Sequence, residues 1–457
     1  MMILRIGWVV EQNNKNICLV PRTIVERFKL SPEKKYYLHL GQQIKEVVIR
    51  PSGINNQFLY IEPTTFLPDL TVEEITVYEN VELNFWVKDE EIFLGPVVGI
   101  FVRPNQLKVP DAFSSFMSHM TAGQEKHFLC YYFSCNSIDW EGQRVRGFTF
   151  VPDMNKWIYA WLPLPDVVYD RGAGFAMKHK KSVKEIRRKL RVDTLVRFIN
   201  TRGYIGKWKL YQKLSKHNEI AQYLPQTVSY EGLATLGPMV QKFDLLFLKS
   251  YFGSHGKEVL SIEKLQAEYK LTFYEKGLKE LVVRDLIQLE AYIECFIRKK
   301  KFILQQGIRL LTYKNRLFDM RVLMIKNKDG KWMVMSNYAR IAKVGFTITN
   351  YSAGGECDFY NNLYPDLCNF YGKLVIPDYD QIAAVALQIA AVVEREFGQF
   401  GELGLDLAVD SNGRLWLIEV NAKPNKDLVE ELDDFTTVGA QYLAIFAYAG
   451  YLCGMND

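Results

Sequence analysis

The chain has no HExxH and no GxSxG, and none of its cysteines stand as a paired CxxC. Zinc hydrolysis, serine acyl transfer and a cysteine zinc site therefore lack their usual residues. It also lacks GxxxxGK followed by Ser or Thr, and no GxGxxG follows a strand, which removes the commonest phosphate-loop signatures. Seven cysteines, at positions 18, 130, 135, 295, 357, 368 and 453, are odd in number and scattered, which fits a reducing cytosol better than a disulfide framework. Cys130 and Cys135, the closest pair, have no matching cluster and are expected as buried thiols. Charge of one sign is scarce: 57 Lys and Arg against 52 Asp and Glu leave a net +5, too little to imply non-specific nucleic-acid binding. The opening MMILRIGWVVEQNNKN has too short an apolar stretch for an export signal and is expected as a first strand. The uncharged stretch 435–456 is interrupted by Thr436, Thr437, Gln441 and three glycines, so it is expected as a buried terminal helix and not a membrane span.

What is present is an ordered, globular composition: 48% apolar, 14% aromatic and 24% charged over 457 residues, long enough for roughly two to four domains. Short alternating runs such as KKYYLHL and KEVVIR make residues 1–92 a small β-rich domain. An α/β segment over residues 93–199 follows, with LGPVVGIFV expected as one continuous apolar strand, then HFLCYYFS and FTFVPD, ending near PDVVYDR and a basic helix over Met177 to Arg191. That helix has no interleaved aromatics and reads as a solvated face, not a nucleic-acid surface. The remainder, 200–457, divides at about residue 285 into two subdomains. Within it, Trp208, Tyr211 and Leu214 share a helical face before an extended LPQT, and LIQLEAYIECFIRKK is a helix with Leu286, Leu289, Tyr292 and Phe296 inward.

Two hairpins carry charge where strands should be apolar. Asn412-Gly413, read as a two-residue turn, pairs Asp406 with Glu419, and Asn421 follows on the same face. Like charges directly opposite destabilise a strand pair, and Leu405, Leu407, Leu417, Ile418 and Val420 leave both faces apolar, so a shared hard cation suits these oxygens better than solvent. Asp329-Gly330, read the same way, pairs Asp319 with Arg340, with Arg321 two residues from Asp319 on the same face. A salt bridge accounts for Asp319 and Arg340 by itself; Arg321 is a further cation that calls for an anionic ligand. In FLKSYFGSHGKEV, Lys249 precedes a loop of Gly253, Ser254 and Gly256, which is either an ordinary hairpin or a cradle whose N–H groups meet phosphate oxygens.

Taken in order, GKWKLYQKLS with LPQT, FLK before a glycine loop, ILQQGI, DMR, YARI, TNYSAGG and ELGLDL to IEVNAKPN resemble the ATP-grasp superfamily. The likeness is greatest to its YheC/YheD branch, known as spore-coat-associated proteins of bacilli, and is strong over about residues 200–455. It implies an α/β (α+β) architecture: a C-terminal ATP-grasp fold with two α+β subdomains clamping ATP, behind an α/β pre-ATP-grasp segment. It further implies that Lys207 and Lys249 hold ATP phosphates under a loop of Ser254 to Lys257 that includes Gly256, with Gly253 before it. Gln305, Gln306, Gly307 and Ile308 would form the adenine-side hinge, chiefly through backbone groups. Gln306 stands where superfamily hinges often carry an acid. Asp319 would join the nucleotide side, Arg321 and Arg340 would stabilise charge near the transferred phosphate, and Asn350 with Gly354 and Gly355 would line the acceptor side. Asp406, Glu419 and Asn421 would hold Mg²⁺, for which Mn²⁺ can substitute.

Ligases of that superfamily need no protein nucleophile: a carboxylate attacks the γ-phosphate, and an amine or thiol displaces phosphate from the acylphosphate. The expectation is an ATP- and Mg²⁺-dependent carboxylate-amine ligase acting on unidentified carboxylate and amine substrates, such as an amino acid or peptide. It would be cytoplasmic, with spore-coat proteins as partners in a spore-forming bacterium. The alternative is a coat or morphogenesis protein that binds ATP without ligating anything.

Overall fold

The computed structural model describes all residues except 9–16, 54–56, 63–64, 67–69, 80, 109–113, 253–257, 267, 276, 344–354, 427–434 and 456–457. Alternating runs at the N-terminus become strands with one buried face, as in Lys35–Leu40, where Tyr36, Leu38 and Leu40 are buried. Seven such strands between Met2 and Gly95 close into a barrel, which removes the unpaired edges of an open sheet. The continuous strand expected from Leu94 is instead two. Glu91–Gly95 ends the barrel and Val97–Phe101 opens the next sheet, because Pro96 has no N–H to give a ladder.

Val97–Phe101 lies between Leu129–Phe133 and Val167–Asp170 and runs parallel to both. All three are buried along their whole length, as expected of parallel strands covered on both faces. The basic helix forms as Met177–Val192, with Val183, Ile186 and Leu190 as its buried stripe. Cys130 and Cys135 are buried, and burial pushes the Cys130 thiol well above its ordinary value. Phe435–Leu452 forms the expected terminal helix. Its Tyr442 and Phe446 rings meet His119 and Phe128 at 4.6 and 6.1 Å, so it groups with residues 1–203 and with the hairpin tip Lys326–Lys331 in one compact unit. Among the described residues no helix is long and apolar enough to cross a membrane.

The second unit, Tyr204–Ile325 with Trp332–Asp434, holds two six-stranded sheets. The first runs Thr227–Ser229, Phe302–Gln306, Leu245–Ser250, Val259–Lys264, Tyr269–Tyr274, Leu278–Val283, all antiparallel. Helices Leu233–Lys242 and Leu286–Ile297 supply its core, so this layer extends past residue 285 to Gln306. On the later helix the buried stripe is Leu289, Ile293 and Ile297. The expected Leu286, Tyr292 and Phe296 flank it, partly buried, with the two rings against Phe273.

The second sheet orders Glu356–Phe359, Trp332–Ile341, Arg316–Lys326, Glu402–Val409 and Leu415–Asn421, with Thr312–Tyr313 beside Arg316–Lys326. Helix Tyr379–Phe397 buries Ile382, Val385, Ala386, Ile389 and Val393. It starts at a reciprocal cap in which the Asp378 carboxylate accepts from the Gln381 backbone N–H and the Gln381 side-chain Oε1 accepts from the Asp378 backbone N–H.

Both hairpin turns are one residue longer than expected, and for the same reason. The Asp410 carboxylate accepts the N–H groups of Asn412 and Arg414 at 2.9 and 3.0 Å, and Asn327 Oδ1 does the same for Asp329 and Lys331 at 2.9 and 3.0 Å. This side-chain grip organises three-residue loops, Ser411–Gly413 and Lys328–Gly330, each ending in a left-handed glycine at φ +79° and +71°. A Cβ on Gly413 would stand 1.9 Å from the Val375 carbonyl oxygen, on top of the strained φ. Gly413→Ala is expected to cost on the order of 3 kcal/mol, read as a lowered urea midpoint.

Candidate functional site

The three-residue loop sets one register and a bulge then changes it. Val409 pairs with Leu415, Ala408 with Trp416 and Leu407 with Leu417; Ile418 is then skipped, and Asp406 pairs with Glu419, Leu405 with Val420 and Gly404 with Asn421. The expected facing of Asp406 and Glu419 is present, but it arises from a longer turn corrected by a bulge. Since a one-residue slip turns every later side chain to the other face, the bulge is what puts Glu419 and Asn421 beside Asp406.

Cations from the neighbouring strands meet this row. Arg321 lies directly across from Asp406, with Nε 2.5 Å from Oδ1 and Nη2 3.3 Å from Oδ2. Arg340 donates Nε and Nη2 to the two Asp319 oxygens at 2.7 and 2.6 Å, as the second hairpin predicted, and its Nη2 lies 3.0 Å from Asp406 Oδ2. Asp319, Arg340, Asp406 and Arg321 thus form a chain of alternating charge, with side chains only 6%, 13%, 7% and 11% exposed. Burial alone would raise the Asp406 pKa, but Arg321 and Arg340 hold it below the ordinary carboxylate value. The anion that Arg321 calls for is therefore in the protein itself.

Glu419 has its own cation, since Lys207 Nζ lies 2.9 Å from its Oε1. The repulsion between Asp406 and Glu419 is relieved inside the protein, so it does not by itself require a metal. Lys249 donates to Gln305 Oε1 at 2.7 Å, Gln305 Nε2 donates to Thr227 Oγ1 at 2.9 Å, and Thr227 Oγ1 donates to the Pro225 carbonyl at 2.9 Å. Gln305 is 1% exposed, so its amide is held by this chain rather than by water. Desolvation, aided by Lys207 and opposed by Glu419, pushes the Lys249 ammonium down to about 8.

The expected hinge is built tightly. Gln306 N–H donates to the Gln226 carbonyl at 2.8 Å, and Gly307 N–H to that of Leu245 at 2.8 Å, so two backbone donors are committed within the fold. A Cβ at Gly307 would meet Leu245 Cγ at 2.3 Å, which explains glycine there. Ile308 follows the Phe302–Gln306 strand, half-buried. Gly253, Ser254, Gly256, Lys257, Asn350 and Gly354 lie outside the described residues. Sequence reasoning missed Tyr211 and Thr227 as polar contacts. Tyr211 was legible only as an apolar helix position, and Thr227 as the end of the extended LPQT.

The donors suit a hard cation. Among the described residues no group of three or more His, Cys, Asp or Glu is placed to hold a metal. Asp406, Glu419 and Asn421 nevertheless put two carboxylates and an amide on one sheet face. Gly404, opposite Asn421, has no room for a side chain, since a Cβ would lie 2.9 Å from Pro424 Cβ and 3.6 Å from Asn421 Cβ. The three guanidinium contacts leave Asp406 a lone-pair site on Oδ1, because an ionised carboxylate offers about four.

Residues 195–452 match the model of a family described as YheC/D like ATP-grasp. The endospore coat-associated protein YheD of Bacillus subtilis (strain 168) is 22% identical over 400 residues, 86% of each chain. Endospore coat-associated protein YheC of the same organism is 22% identical over 284 residues, covering 62% of this chain and 77% of that one. Among solved structures, D-cycloserine synthetase DcsG is similar at 13% identity and a TM-score of 0.45, over 77% of this chain and 99% of that one.

Removing one member of the buried charge chain leaves the remaining three with an unmatched charge. Arg321→Met is expected to cost about 3 kcal/mol in urea unfolding, and Arg321→Met with Asp406→Leu to recover most of it, because deleting both charges leaves nothing unpaired. Equal losses in the single and double variants would show that the pair matters for packing only.

Proposed function

Because this chain belongs to the YheC/D-like ATP-grasp family, we propose that it is an ATP- and Mg²⁺-dependent ligase that joins a carboxylate to an amine or thiol through an acylphosphate. The observation that carries this reading is the row Lys207, Glu419, Asp406, Arg321, with Lys249 near Glu419 and Lys207 and with Asn421 on the same sheet face. It combines cations for an anionic substrate with oxygens for a hard metal, and no nucleophile is needed. Asp406, Glu419 and Asn421 would hold Mg²⁺, which when bound neutralises phosphate charge and fixes its oxygens for in-line transfer.

In this reading Lys207 and Lys249 bind the ATP phosphates. Lys207 exchanges Glu419 for a phosphate oxygen, releasing that carboxylate to the metal side. Gln305 keeps Lys249 oriented. The substrate carboxylate oxygen forms a bond to Pγ as the bond from Pγ to the ADP oxygen breaks. An amine nitrogen then attacks the acyl carbon, inorganic phosphate leaves with the carbon–oxygen bond, and the nitrogen loses its proton to give the amide. Arg321 and Arg340 use Nε and Nη2 on Asp319 and Asp406, and their Nη1 donors are the ones this reading turns toward the transferred phosphoryl group. The coat association named for the two relatives extends to this chain as a cytoplasmic protein of a spore-former that meets coat proteins.

One observation favours a second reading, an ATP-binding coat protein without turnover. Each arginine is matched by an aspartate inside the fold, so the four together carry no net charge toward a ligand.

ADP release against a panel of amino acids and peptides separates the two. The ligase is expected to form ADP only with Mg²⁺ and both substrates, and Glu419→Gln to lose at least about 100-fold in rate at an unchanged melting temperature. ATP binding without turnover across the panel would support the second reading.

Lys249 supplies a separate check. Its depressed pKa means that charging it is costly below about pH 8 and that, in the window from about 8 to 10.5, the folded state has shed a proton the unfolded state keeps; stability from this group therefore rises with pH there. A phosphate beside it restores the charge. ATP binding at about pH 8.5 is expected to be accompanied by proton uptake, measured calorimetrically in buffers of different ionisation enthalpy, and Lys249→Met to abolish it.

A further inference from the structure

One face of the helix Lys207–Leu214 reaches three consecutive residues of the strand Leu415–Asn421. Lys207 Nζ meets Glu419, and four residues on, one helical turn later, the Tyr211 hydroxyl donates to the Ile418 carbonyl at 2.7 Å with the Leu417 carbonyl at 3.2 Å. Leu417 N–H in turn donates to the Tyr223 carbonyl at 2.7 Å. Leu417 and Ile418 are the residues at which the register shifts. A bulge takes its extra residue out of the strand ladder, and backbone groups buried there must find another partner. Here that partner is a buried phenol, which shares an apolar cluster with Leu210 and Leu214. Gln305, whose amide oxygen holds Lys249, is near enough to this phenol to influence its ionisation.

We infer that Tyr211 is the positioning residue of this site: its hydroxyl secures the Ile418 bulge, so that Glu419 and Asn421 share a face with Asp406. The inference rests on the reading of Asp406, Glu419 and Asn421 as cation ligands. Without the hydroxyl, the competing register pairs Ile418 with Asp406 and turns Glu419 and Asn421 to the opposite face of the sheet. Tyr211 acts on the ligands and not on the substrate, so its loss should weaken metal binding more than nucleotide binding.

The experiment uses the full chain and Mn²⁺ with ADP as probes. Tyr211→Phe is expected to speed amide hydrogen exchange in residues 417–421, to weaken Mn²⁺ binding at least about 10-fold by electron paramagnetic resonance, and to leave metal-free ADP affinity within about 2-fold. Deleting Ile418 in the Tyr211→Phe background lets the regular ladder seat Glu419 opposite Asp406, and is expected to restore Mn²⁺ binding, a rescue that loss of general packing would not allow. Unchanged exchange at 417–421, or faster exchange with undiminished Mn²⁺ affinity, overturns the inference, as does an Ile418 deletion that folds but rescues nothing. A wild-type chain that binds no Mn²⁺ while Tyr211→Phe still speeds exchange sinks the cation-ligand reading and the positioning role with it, leaving Tyr211 as a structural clamp only.

Discussion

The second unit is organised around the cost of burying charge. Four nearly buried groups, Asp319, Arg340, Asp406 and Arg321, stand on three adjacent strands of one sheet. Each is tolerable only because its neighbours are opposite in sign and hydrogen-bonded in forked geometry. That requirement restricts the sheet: Arg321 must lie across from Asp406, and Arg340 must reach both acids. A strand slipped by one residue would bury an uncompensated charge. The same chain brings Glu419 to its edge, where Lys207 completes the balance.

Register is therefore as consequential as composition. Two turns with the same side-chain grip, from Asn327 and Asp410, each add one residue to the loop. In the later hairpin the added residue is compensated by the bulge at Ile418, and helix Lys207–Leu214 bonds to the backbone at that point through Tyr211. On the first sheet, Gln305 holds Lys249 and is itself held by Thr227. Lys207 is bonded directly to Glu419, one of the candidate metal ligands.

Much of this was legible in the chain. Alternation in KKYYLHL and the continuous apolar run in HFLCYYFS predict strands that form, and the periodicity of LIQLEAYIECFIRKK predicts a helix that forms. Strands Tyr269–Tyr274 and Leu278–Val283 escaped notice because YKLTFY and LKELVV carry charges on their exposed positions and no strong turn signal between them. The break at Pro96 was missed because apolar residues continue on both sides of it. Asp319 with Arg340, and Asp406 with Glu419, were found from turn positions, although the turn length assumed was short by one.

By itself the sequence determined many of the strands and helices, the neighbourhood of the two hairpin turns, and the order of charged residues along the chain, since these depend on local periodicity and on the conformational freedom of glycine, asparagine and aspartate. Only the tertiary structure decided which cation neutralises which carboxylate. Arg321 and Asp406 are 85 residues apart, and Lys207 and Glu419 are 212 apart, so no local pattern encodes their contact. It also decided the bulge, because the hydroxyl that secures Ile418 comes from a helix two hundred residues upstream, and a one-residue change of register alters which face a side chain takes without altering any local preference.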